Sequence, residues 1–178
     1  MPRLRQVEPE DADEDLQQIF TDIKKQLGTV PNIFKGMAAG PTLLKAYLQL
    51  DEIIADGELS DAQQDIVRLV VSQYNGCDYC LAAHTKTGSM HGLSTEETLD
   101  IRRGTPKDEQ TAALITFTRR ILETRGAVAD NDLQAFYDAG FTDAQVNDVI
   151  TIVGQKTLSN YFNHIHQTEL DFPAAPGL

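Results

Sequence analysis

Helix-start signals punctuate this sequence along most of its length, and they restrict what it can fold into more than any other feature. Ser60-Asp61-Ala62-Gln63 and Ser94-Thr95-Glu96-Glu97 are capping boxes: the hydroxyl covers the third helical N–H, and Gln63 or Glu97 reaches back to the N–H of the cap. Thr142-Asp143-Ala144-Gln145 repeats the device before the last hydrophobic stretch. Between such starts apolar residues recur three and four apart, and Gly28, Gly57, Gly92, Gly126 and Gly140 mark stops. Nothing reads as short alternating strands joined by tight Asn-Gly or Asp-Gly turns. The expectation is an all-α fold with no sheet.

The pattern predicts a first helix from Asp13 to Leu27, with Leu16, Ile19, Phe20, Ile23 and Leu27 on one face, then an irregular stretch over 29–34. Pro41 suits the first position of a second helix that stops at Gly57. A third spans Asp61 to Tyr74, and a fourth starts near Cys77 and runs toward His91. Ser94 caps a short helix to about Arg103. Thr105-Pro106 introduces a longer one that buries Ala113, Leu114, Phe117, Ile121 and Leu122, and a short helix follows from Asp130 to Ala139. The last runs from the Thr142 cap to Glu169, with Val146, Val149, Ile150, Val153, Leu158, Phe162 and Ile165 inward. No repeat or linker divides residues 1–178, which read as one domain with its chemistry in 60–92 and an irregular tail from about 171.

A chain of 178 residues can bury about two-thirds of its unfolded surface without staples. Its 15 Lys and Arg against 27 Asp and Glu give a net charge of −12, which argues against nucleic acid and anionic membrane as partners. No apolar run approaches the roughly 20 residues of a membrane span. The first residues turn acidic at Glu8 before any hydrophobic core develops, unlike a secretory signal, so a cytoplasmic location is expected.

Only two cysteines occur, three apart in Cys77-Asp78-Tyr79-Cys80. In a reducing compartment such a pair points to redox chemistry or metal binding. On a helix starting at Cys77, residues three and four apart share a face, which aligns Cys77, Cys80 and His84. Cα atoms three apart on a helix fall within the roughly 4.4–6.8 Å that a disulfide tolerates. Free N–H groups at the helix start and a nearby imidazole lower a thiol pKa, while Asp78 and the acidic chain push the other way. Asp65 lies twelve residues before Cys77, where an antiparallel helix can return it to His84 as the carboxylate that orients a base.

The run from Asp65 through Asn75-Gly76-Cys77-Asp78-Tyr79-Cys80-Leu81-Ala82-Ala83-His84 resembles the core of the AhpD-like alkylhydroperoxidases, within the carboxymuconolactone decarboxylase superfamily, and their peroxidase-related branch. Leu27-Gly28-Thr29-Val30-Pro31-Asn32-Ile33-Phe34 and Asn160-Tyr161-Phe162-Asn163-His164 match further blocks of that branch. The resemblance implies a helical bundle of about seven or eight helices, assembled as homo-oligomers (trimers or hexamers), that reduces organic hydroperoxides. Cys80 would attack the peroxide and become a sulfenic acid, and Cys77 would resolve it to a disulfide. A dithiol reductant, lipoyl or thioredoxin-like, would reopen that disulfide. His84 and a glutamate, matched here by Asp65, would relay protons, with no cofactor or metal. This chain departs from the pattern at Asp65, one methylene shorter, and at Tyr79, where the best-known members have histidine.

Other readings of the same residues are a zinc site, a structural pair of buried thiols, a disulfide oxidoreductase without significant peroxidase activity, and a carboxymuconolactone-decarboxylase-like enzyme. Zinc would take Cys77, Cys80 and His84 with Asp65 or His91, but three ligands on one helix make an awkward tetrahedron. His164 and His166 read as packed or surface residues. His91 reads as a helix C-terminal residue stabilised by the dipole.

Overall fold

Each capping box opens a helix in the computed structural model, which describes residues 1–178 and contains nine α-helices and no strand. They are α1 (Glu14–Leu27), α2 (Asn32–Met37), α3 (Pro41–Ala55), α4 (Asp61–Asn75), α5 (Asp78–Met90), α6 (Thr95–Arg103), α7 (Glu109–Thr124), α8 (Asp130–Asp138) and α9 (Asp143–His166). At Ser60, Ser94 and Thr142 both hydrogen bonds of the box are made.

Three boundaries differ from the sequence expectation. The stretch expected to be irregular contains α2, a six-residue helix that starts after the extended Pro31 and is anchored by Asp171, whose Oδ2 accepts the Asn32 N–H at 2.6 Å. α7 starts at Glu109, beyond Thr105-Pro106, because Asp108 is the residue whose carboxylate accepts the Thr111 N–H, at 2.8 Å. α9 stops at His166, three residues short of Glu169, where Gln167 turns left-handed with φ of 55°.

α4 is the central element and packs against α5, α6, α7 and α9. Around it lies an apolar core in which Val67, Val71, Leu114, Val149 and Ile152 are fully buried, extended by stacked Phe117, Phe136 and Phe141 at centroid distances of 4.3 and 4.2 Å. Burial on this scale contributes about 25 cal/mol per Å² of apolar surface. A second cluster joins Phe20, Met37 and Leu44 from α1–α3 to Cys77, Tyr79, Cys80 and Phe162. α5 and α9 take part in both clusters.

The face that α9 buries is rotated from the expected one. Val149 and Phe162 are inward, but Ile150, Leu158 and Ile165 are 52%, 40% and 56% exposed. In their place the helix buries Gln155, Lys156, Ser159, Asn160, Asn163 and His166. An apolar count mistakes that stripe for solvent, because polar residues are buried only where partners satisfy them. Close packing at its end depends on Gly36: a Cβ there would lie 2.6 Å from His166 Nε2.

Candidate active site

α4 and α5 are joined by two residues, and that join sets the sulfurs. Gly76 closes α4 with φ of 68°, a conformation that favours glycine, and the chain turns at once into Cys77, the residue that caps α5. Cys77 Sγ accepts the Cys80 N–H at 3.4 Å. Both thiols are free and buried. Asn163 of α9 spans them, its Nδ2 donating to Cys80 Sγ at 3.2 Å and lying 3.7 Å from Cys77 Sγ.

The two thiols are driven apart in acidity. A hydrogen bond from Cys77 lowers Cys80 to about 6 against the opposing effect of burial, and the charge of Lys156 and the amide of Asn163 act in the same direction. Cys77, donating that bond and buried, is pushed up. Cys80 is therefore the more acidic of the two sulfurs and Cys77 the less acidic.

Asp65 is fully buried on α4 and collects donors from α5. Its Oδ1 faces His84 Nδ1 at 3.3 Å and accepts from Thr87 Oγ1 at 2.8 Å, and its Oδ2 faces His91 Nδ1 at 2.6 Å. Arg68 approaches Oδ1 at 3.7 Å. Burial raises the Asp65 carboxyl, but the His84 bond and charge, with Arg68 and Thr87, outweigh it and hold the group near 2. The carboxylate fixes the proton of His84 on Nδ1 and leaves Nε2 as an acceptor. Burial and the charge of Lys156 take the imidazole down to about 4, so it is neutral at physiological pH.

The sequence-derived quartet of Asp65, Cys77, Cys80 and His84 is thus brought onto two adjoining helices, with the Asp65–His84 contact as expected. The partner of His84 Nε2 is different. It meets Lys156 Nζ of α9 at 3.0 Å, and Lys156 also donates to Tyr47 Oη of α3 at 2.8 Å. The hydrogen bonds made at Cys80 Sγ come from Asn163 and Cys77. His91 does more than end α5, because it shares Asp65 with His84. Of the other histidines, His164 is exposed and 3.3 Å from Gly76 O, and His166 is buried with Nδ1 accepting the Leu4 N–H at 3.3 Å.

Sequence reasoning missed Lys156, Tyr47, Asn163 and Arg68. A lysine and three amides at 155, 156, 160 and 163, interleaved with the apolar residues of α9, were the available signal for the first and third. Tyr47 is one aromatic among the apolar residues of α3, and nothing in the sequence sets it apart.

A cavity of about 470 Å³ opens onto this cluster. Cys80, His84 and Lys156 line it, as do the rings of Phe34, Tyr47, Tyr79 and Phe172, whereas Cys77 does not. Tyr79, between the cysteines, turns its hydroxyl away to Asp171 Oδ1 at 2.8 Å and packs edge-on against Phe172. Burial and Asp171 push its ionisation up, so the hydroxyl keeps its proton at neutral pH. The tail from Asp171 is irregular, as expected, yet forms part of the wall. No three of the His, Cys, Asp and Glu side chains converge as a metal-holding group. No helix is long and apolar enough to cross a membrane.

Residues 41–124, which include both cysteines, His84 and Asp65, match the model of the carboxymuconolactone decarboxylase family. Among solved structures the chain is similar to the AhpD core of a peroxidase-related protein from Ralstonia eutropha JMP134, at 21% identity and a TM-score of 0.88 over 96% of this chain and 92% of that one. A peroxidase-related protein from Silicibacter sp. TM1040 aligns at 22% identity and a TM-score of 0.79, over 89% and 87% of the two chains. The debrominase Bmp8, solved in complex with 2,3,4-tribromopyrrole, aligns at 14% identity and a TM-score of 0.80, over 95% and 91%. No curated protein sequence matches the chain. The chain thus shares the helical fold of these AhpD-like structures, and the segment that carries its C-x-x-C-x-x-x-H core on α5 is similar to the carboxymuconolactone decarboxylase family.

Proposed function

We propose that this protein is a thiol-dependent peroxidase that reduces organic hydroperoxides, with Cys80 attacking and Cys77 resolving. The observation that carries the reading is the asymmetry of the pair: Cys80 lines a cavity of about 470 Å³ and Cys77 is buried beside it. A substrate entering the cavity meets the sulfur that ionises first, and the resolving thiol waits within hydrogen-bond reach. His84 and Asp65 form the proton relay behind the thiolate. A dithiol, lipoyl or thioredoxin-like, reopens the disulfide. Homo-oligomeric assembly belongs to the same reading, and the exposed apolar Leu158, Tyr161 and Ile165 of α9 offer a surface for it.

The test is a thiol count. Reduced protein is mixed with one equivalent of cumene hydroperoxide and free thiols are followed in wild type, Cys77→Ser, Cys80→Ser and His84→Ala. The expected result is rapid loss of both thiols in wild type, a sulfenic acid trapped in Cys77→Ser, slower loss in His84→Ala and none in Cys80→Ser. Thiols that survive peroxide but oxidise with a disulfide donor would make the protein a disulfide oxidoreductase instead. The four aromatic rings in the cavity favour one second reading, reductive dehalogenation of a halogenated aromatic as the name debrominase describes for Bmp8. Two thiols would then become a disulfide while the carbon–bromine bond is replaced by carbon–hydrogen and bromide leaves. Bromide release from a brominated pyrrole separates the two.

A further inference from the structure

Lys156 is a buried charge that the thiol scheme above leaves without a task. Its residue is 1% exposed, it lines the cavity with Cys80, and its two hydrogen bonds run to uncharged groups, Tyr47 Oη at 2.8 Å and His84 Nε2 at 3.0 Å. No carboxylate pairs with it: Asp51, in that cavity, is engaged by Arg68 and Gln155, and Asp65, buried behind His84, by His84, Thr87 and His91. An ammonium held in a protein interior needs an anion, and it has a third N–H beyond the two already used. The charged or titratable groups that line the cavity with it are Tyr47 and Asp51 of α3, Arg68 of α4, Tyr79, Cys80, His84 and Lys86 of α5, and His91 after it; with Asp51 held by Arg68 and Gln155, Cys80 is the acidic group left to pair with the lysine.

Resting on the peroxidase reading, we propose that Lys156 is the general acid of the reaction: it pairs with the Cys80 thiolate before attack and protonates the alkoxide that leaves. His84 cannot fill that role from Nε2, which already accepts from Lys156, while Asp65 holds its Nδ1 proton. The relay of His84 and Asp65 then acts through the lysine, which it also positions.

The protons and electrons close over a cycle. Cys80 S⁻ attacks the outer oxygen of ROOH; the S–O bond forms, the O–O bond breaks, and the alkoxide takes a proton from Lys156 to leave as ROH. Cys80 is now a sulfenic acid, oxidised by two electrons, and Lys156 is a neutral amine. Cys77 attacks the Cys80 sulfur, the S–O bond breaks, and its own proton leaves with hydroxide as water. A dithiol then reduces the disulfide. Of its two protons, one returns to Cys77 and the other to Lys156, restoring the thiolate–ammonium pair.

Two measurements test this. In a Cys77→Ser background, the pH midpoint of Cys80 alkylation by iodoacetamide should rise by about one to three units in Lys156→Met and stay near its original position in Lys156→Arg, which keeps the charge. With both cysteines present, single-turnover oxidation by cumene hydroperoxide should fall about 100-fold or more in both variants, corrected for thiolate fraction, because arginine does not give up its proton. Oxidation by peracetic acid should be nearly unaffected, since acetate leaves without being protonated. Circular dichroism on each variant establishes that it is folded, and Lys156→Gln replaces any that is not.

Equal losses with both peroxides, or no loss with either, would overturn the acid role while leaving the peroxidase reading intact. An unmoved alkylation midpoint in Lys156→Met would overturn the pairing. A wild-type protein inert to every peroxide sinks the peroxidase reading itself, and the acid role with it.

Discussion

The two halves of α9 are both buried, yet they bury opposite chemistry. Its first half puts Val149 and Ile152 into the apolar core against α4 and α7, where the only requirement is volume. Its second half, from Gln155 to His166, buries six polar side chains, and two of them, Lys156 and Asn163, reach the imidazole of His84 and the sulfur of Cys80. Buried polar groups need specific partners, so the second half gives up some dry packing in exchange for a fixed arrangement of charges. The same helix packs the core at one end and places polar groups against Cys80 and His84 at the other.

The sharpest way to break that division is to cut a side chain from the first half. Ile152→Ala should cost about 2–5 kcal/mol of stability in denaturant unfolding, the usual range for emptying a closed core site. The alkylation midpoint of Cys80 should not move. A variant that loses stability and also shifts the midpoint would mean the two halves are coupled.

The next effect, up to about 3 kcal/mol, reads the polar half through pH. Burial and Lys156 depress His84 from its ordinary 6.5 to about 4, so between those values the unfolded chain binds more protons than the folded one. Stability should therefore be full above pH 6.5 and decline as pH falls toward 4. Asp65, held near 2 rather than its ordinary 3.8, continues the decline at lower pH. His166 is also pushed down by burial and adds in the same sense, so the difference between wild type and His84→Gln isolates the His84 share. Parallel curves for the two proteins between pH 4 and 6.5 would show that His84 ionises freely in the fold.

Much of the fold was legible because its signals are local. A capping box is read from four residues, and all three of them opened helices where expected. The Asp65–His84 contact was legible for a related reason: two helices joined at Asn75-Gly76 can only fold back on each other, which sets the register across the turn. What could not be read lies far away in sequence. Lys156 reaches His84 across 72 residues and Asn163 reaches Cys80 across 83, and no periodicity encodes such a meeting. The misplaced face of α9 has the same origin. Its apolar residues sit on both sides of the helix, so a hydrophobic stripe alone cannot choose between Ile150, Leu158 and Ile165, which are exposed, and the polar face that the site requires.

A smaller effect sharpens the contribution of the second half. Asn163→Leu removes the amide that donates to Cys80 Sγ at 3.2 Å, and a hydrogen bond to a charged group is worth about 1.5–3 kcal/mol, part of which the remaining Cys77 bond makes up. The Cys80 alkylation midpoint should rise by about one unit, corresponding to about 1.4 kcal/mol. A midpoint that stays in place would transfer the thiolate's stabilisation entirely to Cys77 and Lys156.

The smallest effect tests the phase of α9 itself. If Leu158 were inward, as an apolar count of the helix suggests, Leu158→Ser would open a cavity and bury a hydroxyl, costing several kcal/mol as core truncations do. With Leu158 40% exposed, the same change should alter unfolding free energy of the dilute chain by no more than about 0.5 kcal/mol. The substitution also trims the apolar surface shared with Tyr161 and Ile165, so sedimentation at rising protein concentration should show weaker self-association than wild type. The two readouts separate cleanly: a core residue moves the first, and a residue that meets another copy of the chain moves the second.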